Sequence, residues 1–385
     1  MIKGLRVAVI TNVLPTYRQG FYNRLFKRQD IHVTVFCQER IPGLNLKTIH
    51  DRYGEKVKLV RFFSAKGEKI AWQFLPWRKL IKEFNVIFIQ GNPRYLSDFL
   101  LGTFLVLIKK NVVLWTMAHS SGANSFSERI RLFWSRIFSY IFVYTDNEVK
   151  YLRTRGFSNQ YVLGMNNGLD QLAIDQVKQN LSEIMLNKWL SEKKLTGKTI
   201  LLSCARLETK NRFDLFVKIL PNVIERFSNV MWCIIGDGIE RQNLEAQIAQ
   251  AGLSEHVYFV GELYSEQMLC PWFLSSTLFI HPGAIGLSIM HAFGYGLPVV
   301  TNNNELRHYP EFGAFEDNKT GRLFEEDNTT DFSKVVNELL MDEKIRLYMK
   351  GQVLDVARNR FNVDIMVDRF INIANAAYAN KKSDK

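Results

Sequence analysis

The fold class is decided by one segment, His281-Pro-Gly-Ala-Ile-Gly286-Leu-Ser-Ile-Met-His291-Ala-Phe-Gly-Tyr-Gly296-Leu-Pro-Val-Val300. Its order predicts the end of a strand, a glycine loop, a helix of about ten residues and a Gly-x-Pro turn into the next strand. Strand, helix and strand in this order are typical of a parallel sheet covered by helices. Gly286, Leu287 and Ser288 would open the helix, and the free N–H groups there form an anion site.

The same alternation extends over most of the chain. In the second half we expect strands at Thr199–Cys204, Val230–Ile235, Val257–Val260, Thr277–His281 and Leu297–Val300. In the first half we expect strands at Arg6–Thr11, His32–Cys37, Lys58–Phe62, Val86–Gln90, Val112–Met117 and Ile141–Tyr144, with helices between them, for example at Gln19–Lys27 and Phe126–Phe138. This pattern predicts two Rossmann-like, doubly wound α/β domains, with the ligand crevice at the carboxyl ends of their strands.

A turn signal at residues 166–170 and a polar helical stretch at Leu172–Lys194 interrupt the alternation, so we expect a linker near residues 165–195. The domains are then an N-terminal domain at 1–170, a C-terminal domain at 171–362, and a C-terminal helix with a charged tail at 363–385. We expect that helix to pack back on the N-terminal domain.

The composition predicts a globular cytoplasmic protein. Of 385 residues, 47% are hydrophobic and 23% charged, which excludes a disordered or collagen-like chain. The four cysteines are far apart without a Cys-x-x-Cys pair, so neither a disulfide framework nor a zinc ribbon is expected. The N-terminus has no signal-peptide cleavage site, and the longest apolar stretch, Phe99–Ile108, is about half the ~20 residues that a membrane span needs.

Positive charge is concentrated in the first half. Residues 1–170 contain 26 Lys and Arg against 11 Asp and Glu, and the remaining residues contain 24 against 27. This asymmetry indicates either a polyanionic partner or a solvated basic surface. Helix Phe126–Phe138 mixes Arg129, Arg131 and Arg136 with aromatic residues, so it either docks on an anionic membrane surface or packs on its own sheet with the arginines outward. Nucleic acid is not expected as a partner, because the second half has no excess of positive charge.

Candidate anion-binding groups follow the strands of the second half. Arg206 and Lys210 come just after the strand that ends at Cys204, where they would join the helix N-terminus at Gly286 in neutralising a diphosphate. The turn Gly236-Asp237-Gly238 fits a nucleotide loop or a structural turn equally well. Arg241 stands at the third glycine position of a dinucleotide fingerprint, which argues against a nicotinamide-dependent oxidoreductase. No Asp-x-Asp pair and no His/Cys cluster has metal-ligand spacing, so no metal or other cofactor is expected.

Motifs of one known family occur in matching order over residues 200–330: Ala205-Arg206-Leu207 with Lys210 and Phe213-Asp214-Leu215, Ile235-Gly236-Asp237-Gly238, Val257-Tyr-Phe-Val-Gly261, Gly286-Leu287, Gly296-x-Pro298-Val-Val, Pro310-Glu311 and Thr320-Gly321-Arg-Leu-Phe324. On these residues the chain resembles the retaining family 4 glycosyltransferases. The resemblance implies the GT-B fold, in which two Rossmann-like domains face each other across a crevice. The first half matches more loosely, at Asn167-Gly168-Leu169-Asp170, at His119 and at Pro15-Thr16-Tyr17-Arg18.

The resemblance implies transfer of a sugar from a nucleoside-diphosphate sugar to a glycan or polyprenyl-linked acceptor, with retention at the anomeric carbon. It implies that Arg206 and Lys210 stabilise the departing diphosphate, that His119 orients the sugar, and that the phosphate itself helps to deprotonate the acceptor. Donor-binding positions would be Gly236, Asp237, Gly261, Gly286, Leu287, Ser288, His291 and Glu311, and acceptor-side positions would be Pro15, Tyr17 and Arg18.

Relatives of this kind build bacterial surface polysaccharides, including lipopolysaccharide and capsule, on lipid carriers. The resemblance therefore implies a cytoplasmic protein that is peripheral on the inner face of the cell membrane.

Three positions depart from the family pattern. The family has two glutamates with seven residues between them, of which the second contacts the ribose, and the corresponding positions here are Gly283 and His291. Lys210 is one residue closer to Arg206 than usual, with Arg212 as a possible substitute. A histidine can make one hydrogen bond to ribose but not the bidentate contact of a carboxylate.

These departures leave alternatives open. A catalytically silent, glycosyltransferase-like subunit would bind a glycan or a partner enzyme, and a GT-B-type epimerase would convert the donor without an acceptor. His119 and His291 could equally be packing residues. In the segment His308-Tyr-Pro-Glu311, His308 and Glu311 either cap a loop over the donor sugar or fix a turn.

Overall fold

A computed structural model describes residues 4–41, 48–65, 70–118 and 125–383. Contacts within the chain divide it into two compact units, which we call unit 1 (Met1–Asn167 with Val363–Lys385) and unit 2 (Gly168–Asn362). Each unit is built on a parallel sheet with apolar clusters on both faces. The prediction of two doubly wound α/β domains is therefore confirmed.

Unit 1 has a seven-stranded sheet in the order β3-β2-β1-β6-β7-β8-β9. Its strands are β1 (Leu5–Ile10), β2 (Ile31–Cys37), β3 (Val57–Leu59), β6 (Val86–Gln90), β7 (Val112–Trp115), β8 (Tyr140–Val143) and β9 (Tyr161–Gly164), with a separate hairpin of β4 (Phe62–Ala65) and β5 (Ile70–Gln73). Its helices are α1 (Gln19–Leu25), α2 (Trp77–Glu83), α3 (Leu96–Leu107), α4 (Ser125–Ser135), α5 (Asp146–Thr154) and, from the end of the chain, α14 (Val363–Ser383).

Unit 2 has a six-stranded sheet in the order β12-β11-β10-β13-β14-β15. Its strands are β10 (Thr199–Cys204), β11 (Val230–Ile235), β12 (Val257–Gly261), β13 (Ser276–His281), β14 (Val299–Asn302) and β15 (Gly321–Phe324). Its helices are α6 (Gln171–Asn180), α7 (Glu183–Glu192), α8 (Phe213–Arg226), α9 (Arg241–Gln250), α10 (Glu266–Leu274), α11 (Ser288–Tyr295), α12 (Thr329–Met341) and α13 (Glu343–Asn359).

The strand order reverses between β1 and β6 in unit 1, and between β10 and β13 in unit 2. Loops leaving two such strands diverge to opposite faces, which opens a crevice at their carboxyl ends. Most side chains of the central strands are buried and point alternately to the two faces of the sheet. In β1, Val7 and Val9 belong to one apolar cluster and Ala8 and Ile10 to the other.

The structure corrects several sequence expectations. The single strand expected at Lys58–Phe62 is wrong, because β3 ends at Leu59 and the chain then enters the β4–β5 hairpin. The short strands β9 and β15 are additional. The linker expected near residues 165–195 is also wrong. From residue 168 onward this stretch is part of unit 2, since Leu169, Ile174 and Leu195 belong to its core.

The C-terminal helix α14 is part of unit 1. Phe370 is fully buried and stacks on Phe88 of β6 with a ring-centroid distance of 4.2 Å. Arg369 Nη1 donates to Asp146 Oδ1 at 2.6 Å and to the carbonyl of Gly164 at 2.8 Å. Among the described residues, no helix is both long enough and apolar enough to span a membrane.

Candidate functional site

In unit 2, two cations lie on the loop that follows β10. Glu208 links them, because its Oε2 is 2.5 Å from Lys210 Nζ and its Oε1 is 3.7 Å from Arg206 Nη1. Lys210 Nζ also lies 5.6 Å from the centre of the Tyr309 ring. Partial burial lowers the pKa of Lys210, but hydrogen bonds to Glu208 and Tyr309 outweigh this and raise it above its ordinary value. Both positive charges are therefore held at the carboxyl end of the sheet.

Backbone contacts with the β11 loop fix the position of this cationic loop. A Cβ on Gly236 would lie 2.0 Å from the carbonyl oxygen of Ala205, and one on Gly238 would lie 2.3 Å from that of Leu207. Gly236 also has a φ of 132°, which L side chains rarely adopt. Asp237 caps its own turn by accepting from Gly238 N at 2.7 Å. The Gly-Asp-Gly turn therefore has a packing role, whether or not it also contacts a ligand.

The loop after β13 packs against the cationic loop from the other side. The carbonyl oxygen of Lys210 accepts a hydrogen bond from Ala284 N at 3.0 Å. A Cβ on Gly283 would lie 2.2 Å from that same oxygen, so the turn at Lys210 leaves no room for a side chain there. Two departures from the family pattern, glycine at 283 and the displaced lysine at 210, are thus parts of one contact.

Helix α11 begins where the sequence predicts and ends at Tyr295, so its eight residues are slightly fewer than expected. Leu287 is its N-cap residue and provides no side-chain cap. Within the described part of the chain, the N–H groups of Gly286, Leu287 and Ser288 have no hydrogen-bond partner. A helix N-terminus with free N–H groups attracts anions.

His308 fixes the glycine loop to β14. Its Nδ1 accepts from Ile285 N at 3.2 Å, and its Nε2 lies 2.9 Å from the carbonyl oxygen of Asn302. This arrangement requires a neutral ring protonated on Nε2. Burial lowers the pKa of His308 to about 4, which keeps the ring neutral near pH 7. Of the two roles considered for His308, the structure supports that of a turn anchor.

His291 faces a carboxylate that the sequence comparison did not indicate. Its Nε2 lies 2.9 Å from Glu266 Oε1, and Tyr295 donates to Glu266 Oε2 at 3.0 Å. Burial opposes ionisation of Glu266, but His291 and Tyr295 outweigh that effect and hold its pKa below the ordinary value. A carboxylate therefore lies beside α11, although it belongs to α10.

The other donor-side positions lie around the same sheet edge. Glu311 is buried on a short helix, Pro310–Ala314, two residues after Tyr309, whose ring lies against Lys210. Gly261 ends β12 with a φ of 83°, and its carbonyl oxygen accepts from Gly236 N at 2.8 Å.

In unit 1, the acceptor-side positions lie together. Pro15, Tyr17 and Arg18 line a cavity of about 700 Å³ at the carboxyl ends of β1, β6, β7 and β8. Arg18 is buried, and its guanidinium lies 5.7 Å from the Trp115 ring and 5.4 Å from the Tyr144 ring. Tyr17 is half exposed at the rim. His119, the third expected catalytic residue, lies outside the described residues.

Arg131 also lines this cavity, although the sequence analysis placed it on an outward-facing surface. That placement is wrong, because Arg131 is only 7% exposed. The helical spacing contained the signal, since Trp134, Ser135 and Phe138 stand three, four and seven positions later and are all buried. Sequence reasoning likewise missed Glu208, Glu266 and Tyr309.

Comparison with solved structures identifies the architecture. The chain aligns over 97% of its length with all of Anabaena Alr3699/HepE in complex with UDP, with a TM-score of 0.72 and 15% identity. A glycosyltransferase from Rickettsia africae aligns over 97% of this chain and 98% of its own, with a TM-score of 0.70 and 14% identity. The fold is GT-B.

Sequence comparisons match part of the chain, and the family model lies within unit 2. Residues 188–353 match the family described as glycosyl transferases group 1. The O-antigen biosynthesis glycosyltransferase WclY of Escherichia coli is 25% identical over 177 residues, which is 45% of each chain. A poly(ribitol-phosphate) alpha-N-acetylglucosaminyltransferase of Staphylococcus aureus is 20% identical over 172 residues, 45% of this chain and 34% of its own. The chain thus matches less than half the length of these curated relatives.

The contact at Gly283 predicts a steric effect. Gly283→Ala places a Cβ against the Lys210 carbonyl, so we expect the free energy of unfolding of unit 2 to fall by about 2 kcal/mol or more. As a matched control, Gly351→Ala lies inside α13 with no atom within 4 Å of the new Cβ, and should raise stability by about 0.5–1 kcal/mol. Chemical denaturation of both variants measures the difference. Equal stability of Gly283→Ala and the unmodified chain would contradict the contact.

Proposed function

We propose that this GT-B protein is a retaining, metal-independent glycosyltransferase of family 4. It would transfer a sugar from a nucleoside-diphosphate sugar to a glycan or polyprenyl-linked acceptor in bacterial cell-surface polysaccharide synthesis. The supporting observation is the convergence of Arg206 and Lys210, linked by Glu208, at the same sheet edge as the free N–H groups of α11. The group 1 domain match and the polysaccharide enzymes among the relatives support the same class.

The donor chemistry follows from these charges. Breaking the bond between the anomeric carbon and the phosphate leaves negative charge on the diphosphate. Arg206, Lys210 and the helix N-terminus would stabilise that charge more in the transition state than in the bound donor, which lowers the barrier. The structure of the Anabaena relative in complex with UDP supports a nucleoside diphosphate as the leaving group. In this mechanism the departing phosphate would help to deprotonate the acceptor hydroxyl.

We assign the ribose contact to His291 and Glu266 together. In the tautomer of His291 that donates from Nε2 to Glu266, Nδ1 would accept a hydrogen bond from one ribose hydroxyl. Glu266 supplies the negative charge that the usual family glutamate would carry. This pair accounts for the missing glutamate without requiring a loss of donor binding.

Nucleotide binding tests the donor site. In a thermal-shift series with UDP, GDP, CMP, ADP and NAD, one nucleoside diphosphate should stabilise the protein, by about 2.7 kcal/mol at 100 times its dissociation constant. Arg206→Ala should weaken that binding about tenfold or more, because it removes charge-assisted hydrogen bonds. The control Lys334→Ala removes an exposed cation from α12 and should leave the shift unchanged. Stabilisation by none of the nucleotides would favour a silent subunit, and stabilisation by NAD alone would refute the proposal.

Retention can be tested without knowing the acceptor. When water replaces the acceptor, an α-linked donor should release its sugar first as the α anomer, which early ¹H NMR spectra distinguish from the β anomer. Lys210→Gln should slow this hydrolysis by on the order of 10²-fold, as the removal of one preorganised charge donor does elsewhere. Lys334→Gln is the matched control. Initial release of the β anomer would exclude a retaining reaction.

A peripheral membrane position has specific support in unit 1. Helices α3 and α4 pack side by side, with the rings of Phe99 and Trp134 4.8 Å apart, and their outer surfaces expose large apolar residues. Leu100, Leu107 and Phe133 are 50%, 75% and 77% exposed. Exposed Lys109 and Arg129 belong to the same two-helix region, so apolar and basic groups occur together, as at membrane-binding surfaces. We infer that this surface docks on an anionic membrane.

Vesicle binding tests this surface. The protein should co-sediment with phosphatidylglycerol-containing vesicles at low salt, and less with pure phosphatidylcholine. Replacing Leu107 and Phe133 by Ser should lower the partition coefficient about tenfold or more, because each large apolar side chain contributes about 1.5–3 kcal/mol when buried. The matched control replaces Leu347 and Tyr348, which are 60% and 52% exposed in unit 2. Absence of vesicle binding at low salt would contradict the docking surface.

A further inference from the structure

The wall of the unit 1 cavity has a strong excess of positive charge. Arg18, Arg94 and Arg131 line it, and none of its lining residues in the described part of the chain is acidic. The volume of about 700 Å³ is within the range of about 300–1,000 Å³ that small-molecule sites occupy. A cavity of this size and sign favours an anionic ligand.

Arg131 is the unusual member of this wall. It is more than nine-tenths buried, and its Nε and Nη2 atoms have no hydrogen-bond acceptor among the described residues. Nε–H and the neighbouring Nη2–H form the edge of a guanidinium that binds two oxygens of one carboxylate or phosphate side by side. An arginine in this state has the donors for an oxyanion but lacks the acceptors.

The two carboxylates that act electrostatically on Arg131 have other hydrogen-bond partners. Glu128 and Glu148 act electrostatically on Arg131, but each has other hydrogen bonds. Glu148 accepts from the backbone N–H groups of Ala118, Tyr144 and Thr145 at 2.7, 2.8 and 3.2 Å. Glu128 accepts from the hydroxyl of Tyr151. A buried charge without hydrogen-bond acceptors costs several kcal/mol, so a fold retains it most readily where a ligand compensates it.

Other polar groups in the wall suit a sugar that carries the anion. The indole N–H of Trp115 is buried without an acceptor among the described residues, and the Trp115 side chain contributes aromatic surface to the cavity wall. Gln90 donates its amide N–H to Asp98 Oδ2 at 2.6 Å, which leaves its carbonyl oxygen available for a hydroxyl. The cavity therefore combines the paired N–H donors of the Arg131 guanidinium, an aromatic side chain and polar acceptors.

We propose that the unit 1 cavity binds an acidic acceptor, and that Arg131, with Arg18 in the same cavity wall, recognises the oxyanion of that acceptor. The oxyanion is either the carboxylate of an acidic sugar or a phosphate attached to the sugar. This inference rests on the proposed function, because it specifies the acceptor of that reaction. Arg131 binds the acceptor in this assignment and takes no part in bond breaking.

Saturation-transfer NMR titrations of the full chain test the proposal, with UDP present at saturation so that the cations of unit 2 are occupied. The probes are glucuronate, glucose 1-phosphate and neutral glucose. We expect at least one anionic probe to bind tenfold or more tightly than glucose, and the preferred probe distinguishes a carboxylate from a phosphate. Equal binding of all three probes would overturn the proposal.

Variants locate the anion preference. Arg131→Met should abolish the preference for anionic probes. Arg131→Lys should retain only part of it, because lysine keeps the charge but lacks the two parallel N–H donors of a guanidinium. The control Arg78→Met removes an exposed arginine from α2 and should leave the preference unchanged. Persistence of the preference in Arg131→Met would overturn the assignment.

Stability gives an independent readout. Because Nε and Nη2 of Arg131 have no acceptor among the described residues, we expect Arg131→Met to melt at the same temperature as the unmodified chain or higher. A lower melting temperature for both Arg131→Met and Arg131→Lys would identify Arg131 as a structural residue and overturn the proposal. Thermal stabilisation by UDP in the same samples distinguishes a failure of the acidic-acceptor inference from a failure of the proposed donor site. UDP binding without anion preference leaves the proposed function intact, and anion preference without nucleotide binding refutes the donor site alone.

Discussion

The position of the cationic loop in unit 2 depends on close backbone contacts that only glycine permits. Gly236, Gly238 and Gly283 each approach a carbonyl oxygen of the loop to 2.3 Å or less when measured from the Cβ that they lack. The oxygens belong to Ala205, Leu207 and Lys210, so the loop is held on both sides over its whole length. Its backbone is thereby fixed before any ligand arrives, which reduces the ordering cost of binding.

The two units hold positive charge in physically different ways. In unit 2 the Arg206 and Lys210 side chains are 59% and 49% exposed, and ion pairs at such exposure add little stability. The contacts with Glu208 therefore matter for orientation. In unit 1, Arg131 is buried and the desolvation of its charge is a real cost. The exposed, pre-oriented Arg206 and Lys210 suit a leaving group whose charge grows during the reaction. The buried guanidinium of Arg131 suits selection of a ligand that already carries its charge.

The sequence was sufficient to predict most strands of the two sheets, but not the contacts between loops. The central strands are apolar runs between turn signals, and Val86–Gln90 has the predicted bounds. Strand β15 was missed because its four residues include Arg322 and are too short for an apolar pattern. Glu266 was missed for another reason. Its contacts come from distant positions, since His291 lies 25 residues from Glu266 along the chain. Hydrophobic periodicity predicts which face of a single helix or strand is buried, and it contains no information about contacts between side chains of different elements.

The two departures at the paired-glutamate motif have different structural explanations. At position 283, the carbonyl of Lys210 leaves no room for a side chain, so the glycine at 283 and the position of Lys210 in its loop are linked by one contact. At position 291, the histidine Nε2 lies 2.9 Å from Glu266 Oε1, so a carboxylate from the neighbouring helix α10 lies beside it. Missing glutamates argue for a silent subunit only if nothing replaces them. Here a backbone carbonyl occupies the space beside position 283 and Glu266 supplies a carboxylate beside position 291, so the absence of the motif alone is a weak argument for a silent subunit.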